Sequence, residues 1–265
     1  MHPIERLRYV ARSGAVEHRD LVREAAAALA GLGDDDAAGL VLSCKRLVER
    51  QPTSGPLWWL CARLLGAADA RAEAWRCADE VDGDPTSRHL ADSLPEDATV
   101  TVLGWPELAS EALFRRGDVA VLVVDAQGEA ASFTRRLEGA DVDAVDVAES
   151  GTGAAVAASD VVVLEASAMG PDALLAPAGS RAAAAVAHHA EIPVWVVAGV
   201  GRVLPGGLWE VLVNHLDHDD PWDAGVELVP VDLADVVVGP DGARPRAEAV
   251  GRADCPPAPE LLERD

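Results

Sequence analysis

Between residues 99 and 198 the chain alternates short valine-rich runs with helical segments, and this alternation limits the fold more than any other feature. "TVTVLGW", "DVAVLVVDA", "VDAVDVAES", "DVVVLEAS" and "IPVWVVAG" are too short for buried helices. Between them lie "PELASEALFRRG", "GEAASFTRRLEG", a short "TGAAVAAS" and "GSRAAAAVAHHAE". The first of these has Pro106 in its first turn and Gly117 after its end, as a helix requires. Short apolar strands separated by crossover helices predict a parallel sheet covered on both faces, an α/β architecture of Rossmann type. Ligands of such sheets bind beyond the carboxyl ends of the strands. The candidate loops therefore follow Leu103, Val124, Val147, Leu164 and Ala198.

The preceding part has a different texture. "IERLRYVARSGAVEHRDLVREAAAALAGL" places Ile4, Leu7, Val10 and then Val22, Ala26, Leu29 at helix-face spacing, with Gly31 near its close. "DDDAAGLVLSCKRLVER" opens on carboxylates suited to a helix N-terminus and stops at Pro52. "SGPLWWLCARLLGAADARAEAWRCADEVDG" continues as one or two helices, with Trp58, Trp59 and Trp75 expected to anchor their packing. "DGDPTSRHLADSLPEDA", rich in Pro, Asp and Ser, is the natural boundary. The expected organisation is a helical N-terminal domain over residues 1–92 and a Rossmann-like domain over 93–265.

Charge bears on partners. Forty-five Asp and Glu face 22 Lys and Arg, a net charge of −23, and Lys45 is the only lysine. A dense acidic surface with scarce lysine and a small-residue core resembles proteins of extreme halophiles, where salt screens the self-repulsion. It argues against direct nucleic-acid binding, since no Lys/Arg cluster could neutralise a phosphate backbone. The opening "MHPIERLRYVARSG" carries charges where a signal peptide needs an apolar core, and no run is long enough for a membrane helix. Cys44, Cys61, Cys77 and Cys255 lack paired spacing and read as core thiols of a cytoplasmic protein.

Several segments could carry chemistry. "ESGTGAAVA" and "AGVGRVLPGG" have Val156 and Leu204 where a dinucleotide fingerprint needs its third glycine, so both read as turns and no cofactor is expected. His215 and His218 among Asp217, Asp219 and Asp220 read as a solvated acidic loop rather than a metal site. His188 and His189 fit a helix C-terminus. The best candidate is "LEASAMGPDALLAPAGS", residues 164–180, taken as a strand-end loop carrying Glu165 and Asp172. Gly179 and Ser180 either present free N–H groups to a phosphate or merely cap an alanine-rich helix.

This last segment, followed by "RAAAAVAHHAEIPVWVVAG", resembles the most specific motif of one family: the regulatory (alpha, beta and delta type) subunits of translation initiation factor 2B, with the methylthioribose-1-phosphate and ribose-1,5-bisphosphate isomerases. That motif runs Gly-Ala-Asp, an Asp/Asn-Gly turn and Asn-Lys-Ile-Gly-Thr, then an alanine-rich helix and an "Ile/Val-Pro" strand. Ala166, Asp172, Ala173, Leu174, Gly179 and Ser180 fit it, with one residue deleted after Asp172. "RQPTSGPLWWLCARLL" echoes the family's Arg-Pro-Thr helix start, "FTRRLEGADVDAVDVAES" the segment after its Arg-Pro loop, "VELVPVDLADVVVGPDG" its penultimate strand and "CPPAPELLERD" its tail. The resemblance implies a helical N-terminal domain before a Rossmann-like one.

It also implies where chemistry would sit, and there the residues depart. The isomerases' proton-transfer aspartate falls at Ser167, and their cysteine in the loop Gly104-Trp105-Pro106. Their Asn-Lys becomes Ala176-Pro177, their Arg-Pro becomes Gln127-Gly128, and the arginine of Arg-Pro-Thr becomes Gln51, beside Arg50. A serine does not exchange protons near neutral pH as a carboxylate does, and each lost cation removes a charge-assisted bond to phosphate. Trp105 and Ser167 are thus degenerate positions with no catalytic residue expected. Gly104, Gln127, Glu165, Ser167, Asp172, Gly179 and Ser180 remain as candidate ligand contacts. The expectation is a non-catalytic regulatory or assembly protein, pairing with itself through the Rossmann-like domain. It could also engage a translation initiation factor or a small phosphorylated ligand. The alternative is an aldose–ketose isomerase acting on a phosphorylated ribose, with Glu165 or Asp172 as the replacement acid.

Overall fold

The computed structural model describes residues 17–32, 37–216, 220 and 222–262. The helix face built on Ile4, Leu7 and Val10 lies outside them, as do Asp217, His218 and Asp219 of the acidic loop.

Among the described residues five helices come first: α1 (His18–Ala30), α2 (Ala37–Arg50), α3 (Gly55–Gly66), α4 (Ala70–Asp82) and α5 (Thr86–Ser93). Helix α3 is buried nearly all round, Leu57, Trp58, Trp59, Leu60 and Cys61 being inaccessible, so it forms the axis of the helical region. Helix α1 packs along α4 through small residues, and α4 is capped by Asp69, whose carboxylate accepts the Ala72 N–H at 2.8 Å. Trp75 is not the anchor expected of it, being 47% exposed. Helix α4 buries Ala74, Cys77, Ala78 and Val81, a stripe at i, i+3, i+4 and i+7, and Trp75 falls one residue off that stripe. Trp59 is held from far along the chain, its indole N–H donating to the Asp254 carbonyl at 2.7 Å. All four cysteines are free and buried; burial pushes the Cys77 and Cys255 thiols up to about 12, as inert core thiols require.

The second region alternates as its valine runs demand: β1 (Thr99–Leu103), α6 (Glu107–Leu113), β2 (Ala120–Val124), α7 (Ala130–Glu138), β3 (Asp143–Val147), α8 (Thr152–Ala157) and β4 (Val161–Glu165). After a small insertion come α9 (Ser180–His189), β7 (Val194–Val197), α10 (Gly206–His215), β9 (Val236–Gly239) and β10 (Gly242–Pro245). Two short helices, α11 (Arg246–Ala249) and α12 (Pro259–Leu262), follow. The seven-stranded sheet has the order β10-β9-β7-β4-β1-β2-β3, parallel except for β10. Phe133, Leu113 and Leu90 pack with one apolar cluster on it, Val156, Ala183 and Ala184 with the other. Leu90 brings α5, within the Pro/Asp/Ser-rich segment, into the core of the sheet region.

The segment taken as a loop is not one. Residues 164–180 contain β5 (Ala168–Met169) and β6 (Ala173–Pro177), which join β8 (Val226–Pro230) in a separate antiparallel sheet. Leu174 pairs with Val229 and Leu175 with Leu228. "VELVPVDLADVVVGPDG" accordingly supplies two strands to two sheets, β8 to this one and β9 to the large one.

Gly170, in the β5–β6 turn, lies so close to the Trp209 indole that an added Cβ would penetrate the ring. Gly170→Ala is expected to cost about 1–3 kcal/mol through overpacking. Chemical denaturation checks this, and an unchanged midpoint would mean that Trp209 is free to move.

Candidate functional site

Strand order reverses about β1 and β4, so the crevice beyond Leu103 and Glu165 is where a sheet of this type places a ligand. The chain's own charges fill it. Glu165, the last residue of β4, accepts the Leu108 and Ala109 N–H groups through Oε2 at 2.8 and 2.9 Å. These are the unsatisfied donors at the start of α6. Its Oε1 accepts from Arg202 Nη1 at 2.8 Å. Arg202, 3% exposed, also donates through Nη1 to the Ala166 carbonyl at 2.8 Å and through Nη2 to Glu107 Oε2 at 2.9 Å.

Glu107 carries the network into the helical region. Its carboxylate accepts the His18 N–H at 3.2 Å and the Arg19 N–H at 3.1 Å, both at the start of α1. His18 Nδ1 in turn lies 2.9 Å from the hydroxyl of Ser54, which precedes α3. A neighbouring carboxylate, Asp84, accepts the Val200 N–H at 2.8 Å and so fixes the loop that presents Arg202. Gly199 is required in that loop, because a Cβ there would collide with Asp84 and Leu108.

Burial raises Glu165 above the ordinary carboxylate value, against the opposing pull of the Arg202 guanidinium. Burial alone would lower Arg202, but Glu165 and Glu107 outweigh it and hold the guanidinium charged. The cost of burying a charge, with Arg202 nearby, lowers His18 to about 3, so its imidazole is neutral.

The other candidate positions are dispersed and mostly engaged. Gly104 is left-handed (φ 61°) after β1, and its N–H donates to the Val124 carbonyl at 2.9 Å. Trp105 is 42% exposed and stacks on Phe133 with ring centroids 5.4 Å apart. Gln127, at φ 62° after β2, donates through Nε2 to the Gly225 carbonyl at 2.7 Å. The Ser167 hydroxyl donates to the Leu175 carbonyl at 3.2 Å, while its own carbonyl accepts the Gly55 N–H at 3.0 Å. Asp172 is turned to α10, accepting the Trp209 indole N–H at 2.9 Å. Gly179 is left-handed before α9, and the first turn of that helix meets a protein anion: the Arg181 N–H donates to Glu227 Oε1 at 2.9 Å. The buried Ser180 Oγ has no hydrogen-bond partner.

Arg202, Glu107, His18 and Ser54 were not singled out from sequence. Their one local signal was an arginine at the end of the glycine turn "AGVGR" and an acid opening the helix after Pro106. Among the described residues no cluster of His, Cys, Asp and Glu could hold a metal, and no helix is long and apolar enough to cross a membrane.

No family model and no curated protein matches this sequence. Solved structures do. Translation initiation factor eIF-2B of Pyrococcus horikoshii OT3 superposes with a TM-score of 0.77 at 13% identity, over 94% of this chain and 98% of that one. The tetrameric eIF2B beta2-delta2 complex of Chaetomium thermophilum gives 0.75 at 18% identity, over 94% and 92%. eIF2B beta of the same organism gives 0.70 at 16%, over 93% and 88%. The fold is that of eIF2B subunits. On this eIF2B-type frame, the crevice at the β1–β4 reversal is closed by Arg202, Glu165 and Glu107.

Proposed function

We propose that this chain is a non-catalytic, eIF2B-like regulatory or assembly protein whose sugar-phosphate cleft has been closed by internal ion pairs. The observation that carries this reading is the position of Glu165. Its carboxylate occupies the α6 amides and the Arg202 guanidinium, the groups a bound anion would otherwise use. Both oxygens are committed, so Glu165 is poorly placed as a replacement acid, which must be free to move a proton to a substrate atom. Asp172 is bonded to Trp209, and Ser167 to the carbonyl of its own hairpin.

The tetrameric beta2-delta2 complex among the similar structures supports self-association as the working state, a homodimer or larger built through the Rossmann-like region. A translation initiation factor is the partner proposed for this assembly. Sizing with light scattering in molar KCl is expected to give a dimer or larger, and a strict monomer would count against the reading.

The isomerase alternative rests on Ser180, whose buried hydroxyl lacks a partner beside the left-handed Gly179. Incubation with ribose 1,5-bisphosphate in concentrated KCl is expected to give no ribulose product. Turnover that depends on Glu165 would overturn the non-catalytic reading.

A further inference from the structure

A second cleft, of about 430 Å³, opens between the end of α4, the first turn of α5 and the outer face of α6. Arg19, Arg88 and Arg115 all line it. The carboxylates of this cleft are already engaged. Asp82 pairs with Arg23 at 2.7 Å, and Glu111 with Arg19 at 3.1 Å and the Ser87 hydroxyl at 2.8 Å. Asp84 accepts from Thr86 and Val200. Arg88 and Arg115 are exposed and, among the described residues, have no ion-pair or side-chain hydrogen-bond partner.

Other arginines among the described residues, Arg46, Arg71 and Arg252 for example, also lack a carboxylate partner; what sets this cleft apart is that two such guanidinium groups line it together with a third. Acidic residues outnumber basic ones by 45 to 22, and Arg63, Arg76, Arg116, Arg202, Arg244 and Arg246 all pair with carboxylates. Two unpaired guanidinium groups, one on α5 and one in the turn after α6, lie beside a third held by one carboxylate, while the three carboxylates of the cleft are already bonded. The first turn of α5 adds the Ser87 and Arg88 N–H groups, which have no backbone acceptor.

We propose that this cleft binds a small phosphate-bearing molecule, its dianion gripped by Arg88 and Arg115 and drawing Arg19 from Glu111. Planar guanidinium forks match phosphate oxygens pairwise, and the volume suits a molecule of sugar-phosphate size. The cleft lies outside the Glu165 network, so the proposal is independent of whether that crevice is catalytic. Arg19 spans the two places, its N–H on Glu107 and its side chain on Glu111.

The test is a thermal-shift titration of the full chain with inorganic phosphate and, separately, ribose 5-phosphate, at fixed ionic strength set with KCl. The native protein is expected to show a saturable rise. Arg88→Ala/Arg115→Ala removes two charge-assisted contacts and is expected to weaken half-saturation at least ~tenfold. Glu111→Gln, which releases Arg19 and removes a competing charge, is expected to tighten it. Saturation by ribose 5-phosphate well below the inorganic phosphate requirement would identify an ester ligand, and equal requirements the free anion. A response without saturation, or one equal in native and double variant, would overturn the proposal. Circular dichroism confirms the fold of the double variant, and the Glu111→Gln comparison stands on its own if that variant does not fold.

Discussion

Arg202→Met is expected to remove about 3–5 kcal/mol of folding stability, because it strands the Glu165 and Glu107 carboxylates at a buried site without their cation. Chemical denaturation in molar KCl measures this. The deficit should depend on pH in a definite sense. Unpaired buried carboxylates hold their protons more tightly folded than unfolded, so stability falls as pH rises through the range from about 5 to 8 and recovers in acid. Adding Glu165→Gln and Glu107→Gln to Arg202→Met should restore part of the loss, since neutral groups cost less to bury than uncompensated charges. A loss below about 1 kcal/mol, the range of an exposed ion pair, would show that the network is open to water.

His18→Gln is expected to flatten the acid limb of the stability curve. With a folded value of about 3 against an ordinary value near 6.5, the folded protein binds fewer protons than the unfolded chain between those limits. The contribution of neutral His18 is therefore whole above pH 6.5 and is lost progressively as pH falls toward 3. The loss amounts to about 2–4 kcal/mol at the acid end, allowing for partial exposure. Glu165, raised by burial, works the other way, because its folded form takes up a proton more readily. Comparing native and His18→Gln protein between about pH 4 and 7 isolates the imidazole. Parallel curves would place the ring in water.

The large sheet was legible because its evidence is local. Each valine run is short, apolar on both faces and bounded by a helical segment, so length and neighbours decide the assignment. The small sheet had no comparable signal. Strand β5 is two residues long, and the partner of Leu174 is Val229, across two helices and a strand of the other sheet. Trp75 was misplaced by a single residue of helical phase, which the hydrophobic content of α4 does not reveal without its neighbours.

The site was legible only in part. Glu165 and Gly104 follow from the rule that ligands gather at strand ends where the order reverses. Arg202 does not, since an arginine after two glycines looks like any solvated turn until Glu165 and Glu107, 37 and 95 residues away, are brought to it. Glu107 begins a helix, where acids are common for reasons of helix polarity alone, and Glu165 is a lone carboxylate at the end of a strand.

The bond from the Trp59 indole to the Asp254 carbonyl spans 195 residues, and the Gly55 N–H reaches the Ser167 carbonyl across the whole first half of the sheet. Helices usually complete themselves through neighbours in sequence and so form quickly. Here the central helix of the helical region is made early by the ribosome but finds its last contacts only when the far end of the chain arrives. Until then the side of the Trp58–Trp59 cluster that packs against Leu204, Trp209 and Cys255 lacks its cover, and uncovered apolar surface of that kind makes a partly made chain prone to aggregate.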